Sequence, residues 1–217
     1  MNYLAPQIQT LIKNRNWRGL PEQKRVVAIY NFVKDEINFG YNKSGVLPAS
    51  SVLDDRYGYS HTKSILLMAL LRAVNIPCRI HGFYSEKIVL KGFLTGHNYR
   101  RTPHRILHSW VEVYYKDEWL NLEGVILDRT YLTRLQYMFR DNKGSVCGWG
   151  AAIENFKNPP TEFKESHTYI QRDSIIEDLG VFDSPDEFFK QYEPSAYGYF
   201  TRRLMNKSIK KIRQMKM

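Results

Sequence analysis

From Pro21 to Ile37 apolar residues recur with helical spacing, Val26, Val27, Ile29, Tyr30, Phe32, Val33 and Ile37 making one stripe and Pro21 suiting a first turn. Phe39-Gly40-Tyr41 breaks the pattern, and a polar loop with Ser44-Gly45, Pro48 and Ser50-Ser51 is expected up to Tyr59. The next segment, Ser60 to Val74, is rich in Leu, Met and Ala and apolar on nearly all sides. That pattern predicts a helix buried inside the domain, stopped by Asn75-Ile76-Pro77. Cys78 to Tyr84, Ile106 to Tyr115 and Trp119 to Val125 then read as strands. A basic, flexible stretch with Gly92, Gly96, Arg100, Arg101 and Pro103 separates the first two. Further on, Leu132 to Phe139 is expected as helix and Gly144 to Gly150 as a glycine-spaced loop. Ser184-Pro185-Asp186-Glu187 has the capping-box order that opens a helix. A helix, a buried helix and then antiparallel strands make an α+β fold.

Composition narrows the class. At 217 residues the chain is one domain, or one domain with an extension, and needs no metal or disulfide staple. The longest purely apolar run, Ile65 to Leu71, is far short of the ~20 residues a membrane span takes, so no transmembrane segment is expected. No signal peptide is read at the N-terminus. Two cysteines, Cys78 and Cys147, argue against a disulfide framework and fit a reducing cytoplasm. The net charge of +10 is uneven: seven cations and no acidic residue fall between Phe200 and Met217, leaving +3 for the rest. This tail, with Leu204, Met205, Ile209, Ile212 and Met215, suits a loosely amphipathic helix. It is either a solvated terminus or a contact for an acidic partner or an anionic surface. Nucleic acid is not expected, because the tail lacks interleaved aromatics and a reading motif.

Two places carry candidate chemistry. Ser60 opens the buried helix, where backbone N–H groups are unpaired and the dipole is positive, so the position can hold a nucleophile and an oxyanion. Serine there is equally a helix cap. The second place is the strand pair around His108. With a turn at Lys116-Asp117, facing residues have numbers summing to 233, so Glu123 lies across from Trp110 and diagonal to His108. There it can fix the imidazole tautomer and stabilise its protonated form. A purely structural His–Glu pair is the alternative.

Taken together the two places resemble a known family. Gly58-Tyr59-Ser60 followed by the Leu/Ala-rich helix and Leu71-Arg72-Ala73-Val74-Asn75-Ile76-Pro77-Cys78-Arg79 is similar to the core motif of the transglutaminase-like superfamily. That motif reads Gly-x-Cys, a Leu/Ala-rich helix, then Leu-Arg-Ala-x-Gly-Ile-Pro-x-Arg. His108-Ser109-Trp110-Val111-Glu112-Val113 resembles its His-x-Trp-x-Glu-Val strand, and Trp119-Leu120-Asn121-Leu122-Glu123 its Trp-x-x-Leu-Asp strand. The resemblance covers about residues 21–125. It implies a papain/transglutaminase-like core over residues 1–130, a C-terminal extension over 131–199 packed on it, and the basic tail 200–217.

It also implies a thiol acyl-transfer site, with the nucleophile at position 60, His108 as base and Glu123, in place of aspartate, as the orienting acid. No cofactor or metal is implied, and the substrate class is a peptide, protein or small amide. Ser60 stands where the family has cysteine. An introduced substitution, a natural serine enzyme and a non-catalytic relative would each explain it, and the retention of His108 and Glu123 favours the first. The cleft candidates are Tyr41, Tyr59, His61 at the rim, Trp110, Cys147 and Trp149. The cations Lys91, Arg100, Arg101 and Arg105 between the strands are expected to favour carboxylate-bearing substrates. The reading from another class is a binding module acting through its cleft and its basic tail.

Overall fold

The computed structural model describes residues 1–142, 144–194 and 197–216. In chain order these form α1 (Pro6–Asn14), α2 (Glu22–Asn31), β1 (Asn38–Phe39), α3 (Ala49–Asp55), β2 (Tyr57–Gly58), α4 (Ser60–Ala73), β3 (Cys78–Glu86) and α5 (Gly96–Arg101). There follow β4 (Arg105–Tyr115), β5 (Glu118–Asn121), α6 (Arg129–Met138), β6 (Val146–Gly148), β7 (Ala151–Ile153), β8 (Ile175–Phe182), α7 (Pro185–Gln191) and α8 (Tyr199–Arg213). The main sheet is antiparallel in the order β5-β4-β3-β8, and α4 packs on β3 and β4. This is the expected α+β arrangement.

α4 is the centre of the fold. Every residue from Ser60 to Leu71, and Ala73, is buried, Arg72 alone standing out. Such a helix presents no polar face because α1, α2 and α3 cover it on the sides the sheet does not. Its start is positioned by β2, which pairs in parallel with β1. Gly58, in β2, is required by close approach: a Cβ there would lie 2.7 Å from the Thr62 hydroxyl.

The β4–β5 hairpin has the expected register, Glu112 facing Asn121 and Tyr115 facing Glu118. Lys116 and Asp117 both take positive φ, the backbone of a tight primed turn. The third strand, however, stops at Asn121 rather than Val125. Leu122 leaves the extended region at φ −114°, ψ 41°, and Glu123–Val125 form a 3₁₀ turn. A parallel bridge between Leu122 and Thr168 draws this turn toward a later loop, which the alternation of residues 119–125 does not encode.

Other differences have local causes. The helix expected over 21–37 is α-helical only to Asn31. It widens into a π turn over Phe32–Glu36, which frees the Lys34 carbonyl to accept from the Lys63 ammonium at 3.0 Å. The loop expected before Tyr59 contains α3, whose Ala49, Val52 and Leu53 are buried against α1 and α4. The Gly144–Gly150 loop is partly the β6–β7 hairpin. β8 adds an edge strand that the hydrophobic pattern does not announce, while α6 starts at Arg129, three residues early, capped by Asp128. α7 opens as the capping signal predicts, the Ser184 hydroxyl accepting from Glu187 N–H at 3.1 Å.

The basic tail is not a free solvated terminus. Met205, Ile209 and Ile212 of α8 are buried. Asn206 accepts from Tyr41 N–H at 2.8 Å and donates to Tyr41 C=O at 3.0 Å. Arg213 pairs with buried Asp128, whose carboxylate also accepts from Phe39 N–H at 2.8 Å. The outer face of α8 carries Phe200, Arg203, Leu204, Lys207, Lys210 and Lys211, all exposed or half-buried. Met217, the last residue of the expected tail, lies outside the described residues. None of the described helices is long and apolar enough to cross a membrane.

Candidate active site

Ser60 is the first helical residue of α4, not its cap. The cap is Tyr59, whose N–H donates to the Thr62 hydroxyl at 3.0 Å, and that hydroxyl donates on to Asn42 at 2.7 Å. Capping is therefore done by neighbours, and the serine hydroxyl is left for other work. Its own N–H belongs to the first turn, which helix geometry leaves unpaired, so a free backbone donor sits beside the hydroxyl.

His108 lies on β4, and the Glu123 carboxylate meets it from the 3₁₀ turn. His108 Nε2 and Glu123 Oε1 are 2.8 Å apart, with both side chains buried. Expected as a diagonal pair across a ladder, the two residues meet because the chain turns after Leu122. The second carboxylate oxygen accepts from Ile170 N–H at 2.8 Å and Gln171 N–H at 3.0 Å. The turn is tied down in the same way, Glu123 N–H donating to Thr168 C=O at 3.1 Å and Gly124 N–H to the Thr168 hydroxyl at 3.1 Å. A carboxylate held by three hydrogen bonds orients the ring and leaves Nδ1 as the nitrogen available to a reacting group. The 168–171 strap escaped sequence reasoning because it acts mainly through backbone amides, which every residue carries.

Ser60 and His108 border one small cavity, of about 20 Å³, together with Tyr41, Tyr59, His61, Gln171 and Tyr197. Of the six cleft candidates, Tyr41, Tyr59 and His61 are in its lining. Trp110, Cys147 and Trp149 are not. Trp110 lies behind His108: its ring is 5.9 Å from the imidazole, edge-on, and 3.9 Å from Phe83, so it backs the imidazole with apolar mass. Cys147 is exposed on β6, and Trp149 stands edge-on to Phe139 at 5.1 Å.

His61 is in the inner wall, 2% exposed, not at the rim where it was expected. Neither ring nitrogen has a hydrogen-bond partner among the described residues. Burial, and secondarily the neighbouring His108, lowers its pKa to about 3, so it is a neutral imidazole at pH 7. Tyr41 and Tyr59 are shifted upward, first by burial, so both phenols stay protonated. Beneath the site Lys63 is fully buried, donating to the Lys34 and Val125 carbonyls at 3.0 and 2.9 Å. Desolvation brings its pKa down to about 7. The described residues include no cluster of three or more His, Cys, Asp or Glu side chains placed to hold a metal ion.

A buried helix whose first residue lines a cavity with a sheet-borne histidine, itself bonded to a carboxylate, is the arrangement of a papain-like core. The family model described as the transglutaminase-like superfamily matches residues 13–124, half of the chain. The chain belongs to the transglutaminase-like superfamily. Among solved structures it is similar to one titled "a Putative Cysteine Protease from Cytophaga hutchinsonii", at 20% identity and a TM-score of 0.38. That match takes in 55% of this chain and 39% of the other, so it spans about two fifths of that protein's length. No curated protein matches the chain.

Proposed function

We propose that this protein is a thiol-type acyl-transfer enzyme acting on an amide bond, either a peptidase or amidase or an amide transferase, with Ser60 occupying the place of the nucleophilic cysteine. His108 takes the nucleophile's proton through Nδ1 and later returns one to the leaving amine, while Glu123 holds the ring and offsets the imidazolium charge. The Ser60 N–H receives the oxyanion. The observation that carries this reading is the buried 2.8 Å His108–Glu123 contact opening on the cavity that Ser60 lines. Family membership supports a thiol-dependent chemistry. A serine hydroxyl must lose its proton during attack, whereas a cysteine beside a histidine can rest as a thiolate. The protein with Ser60 is therefore read as an inactive form, and a cysteine there as the working enzyme.

The test is amide hydrolysis and amine transfer by Ser60→Cys beside the Ser60 protein across a broad peptide and ester panel. Turnover by the cysteine variant and none by the serine protein is the expected result. Silence of both would sink the enzymatic reading and favour the binding module, for which Ser60 itself and the cationic outer face of α8 speak. In that case peptide binding would be tight, salt-sensitive and weakened by Lys207→Glu with Lys210→Glu on the outer face of α8.

A further inference from the structure

Ser60 is 7% exposed and His108 2%, so the reacting atoms meet solvent only where a wall of the cavity can give. Tyr197 is one such wall. Its ring stands edge-on to Tyr41 at 5.6 Å and lines the cavity with Ser60 and His108. The same residue also borders a surface groove, formed with Asn98, Arg101, Thr102, Pro103, Gly198 and Thr201. That groove measures about 450 Å³. One residue thus belongs both to the buried site and to a wet trough large enough for a peptide side chain or a small ligand.

The cavity and the groove differ in charge. The cavity is lined by Tyr, Phe, Ser, His, Gln and aliphatic residues, with no Lys, Arg, Asp or Glu among them. Sorting of substrates by charge has to happen outside it. The groove has the means: α5 ends in Arg100 and Arg101, both exposed and neither in an ion pair among the described residues. Lys87 fixes this end of α5, its ammonium donating to the Tyr99 carbonyl at 3.2 Å and the Thr102 carbonyl at 2.8 Å. On the opposite bank the chain enters α8, which Asn206 clamps to the backbone of Tyr41, another cavity-wall residue. Tyr197 therefore sits just before an anchored helix and borders a groove whose lining carries Arg101.

We infer that acyl donors reach Ser60 through this groove past the ring of Tyr197, and that Arg101 selects donors carrying a carboxylate close to the amide to be cleaved. This rests on the acyl-transfer reading of the site. A guanidinium pairs a carboxylate in two parallel hydrogen bonds, which fixes orientation as well as charge. With that carboxylate held in the groove, the uncharged amide end of the donor reaches Ser60 as Tyr197 gives way, between walls that carry no Lys, Arg, Asp or Glu.

The experiment measures access rather than turnover, so that the two readings fail separately. The full chain carries Ser60→Cys to supply a thiol and Cys147→Ser to remove the exposed one, leaving Cys78 buried. Alkylation of position 60 by iodoacetamide and by iodoacetate is followed by mass spectrometry at neutral pH and low salt. Tyr197→Ala is expected to speed both reagents about tenfold, and Tyr197→Phe, which keeps the ring, to leave them near the parent rate. Arg101→Glu is expected to lower the iodoacetate-to-iodoacetamide ratio about threefold at low salt, an effect that high salt removes.

Should Tyr197→Ala melt below the assay temperature, Tyr197→Leu is read instead. Arg101 is exposed and its substitution does not touch the core. Rates indifferent to position 197 would place the entrance elsewhere, and a ratio indifferent to position 101 would remove the carboxylate preference. If the shifts appear in a cysteine variant that turns nothing over, the entrance stands and the acyl-transfer reading falls. An active enzyme without the shifts would keep the acyl-transfer reading and overturn the entrance.

Discussion

α4 and α8 are both amphipathic problems solved in opposite ways. α4 hides everything, including Ser60, His61 and Lys63, and the polar groups it hides are either satisfied, as Lys63 is by two carbonyls, or turned into the cavity. α8 buries Met205, Ile209 and Ile212, pairs Arg213 with Asp128 and leaves the cations of its outer face in water. Charge on that outer face is therefore cheap and replaceable, while a polar atom on α4 has to have a partner or a task. The comparison explains why the candidate chemistry lies at the start of the inner helix although the outer one holds most of the net charge. It also exposes a link between them: α8 is hydrogen-bonded to the backbone of Tyr41 and, through Asp128, to that of Phe39, and both residues line the cavity.

The comparison can be broken at several points. The largest effect is expected at the buried carboxylate. In Ser60→Cys protein, Glu123→Gln should lower kcat by about 10³- to 10⁴-fold with little change in KM, because the ring loses its orienting anion while the Ile170 and Gln171 amides keep an acceptor. A loss of tenfold or less in steady-state kinetics would make Glu123 a structural partner only.

Next is the anchor of α8. Arg213→Ala leaves Asp128 buried beside the cavity wall without its guanidinium, and should cost about 3 kcal/mol in urea unfolding. Asp128 has its pKa lowered in the fold, against the opposing effect of burial, by the hydrogen bond to Arg213 and the nearby charge of Lys63. The carboxylate's contribution to stability is thus present above the unfolded value and lost on acidification. An unfolding midpoint unmoved by Arg213→Ala would mean that α8 is an ornament on the core.

Smaller shifts follow from the two buried bases. His61, with a folded pKa of about 3, binds fewer protons than the unfolded chain below pH 6.5. Stability should therefore fall as pH drops from 6.5 toward 3, and His61→Phe should flatten that slope. Lys63, at about 7 in the fold, puts the corresponding window at higher pH, so stability should rise between pH 7 and 10.5. A melting temperature flat across both windows would contradict the dry surroundings assigned to α4. The smallest effect belongs to the outer face of α8: Lys207→Glu with Lys210→Glu should move the melting temperature by only about 1 °C. A large drop would mean that these cations bear on the core after all.

Much of the inner region was legible in the sequence because its causes are local. An all-apolar run from Ile65 to Leu71 can only be buried, and the alternation about a Lys116-Asp117 turn fixes the β4–β5 register. The Ser60 position and the pairing of His108 with Glu123 came from those patterns together with the family motif. What stayed hidden depends on distant contacts. The turn that swings Glu123 onto His108 is held by Thr168, some 45 residues on, and the strap that anchors the carboxylate is made of backbone amides. α3 lies in a stretch of serines and aspartates whose few apolar residues face α1 and α4, so its helical character shows only against them. Docking of the basic tail rests on Asn206 and Arg213, two polar residues whose partners are nowhere near them in sequence.

The central claim is that the residue at position 60 and the imidazole of His108 share one proton-exchanging contact. Ser60→Cys in a Cys147→Ser background puts a reporter there, since the ultraviolet absorbance of a thiolate exceeds that of a thiol. The account predicts thiolate formed well below the pKa of about 8.5 of a free cysteine, and its return toward that value when His108→Ala is added. A thiol that titrates at or above the free value, whether or not His108 is present, would contradict it.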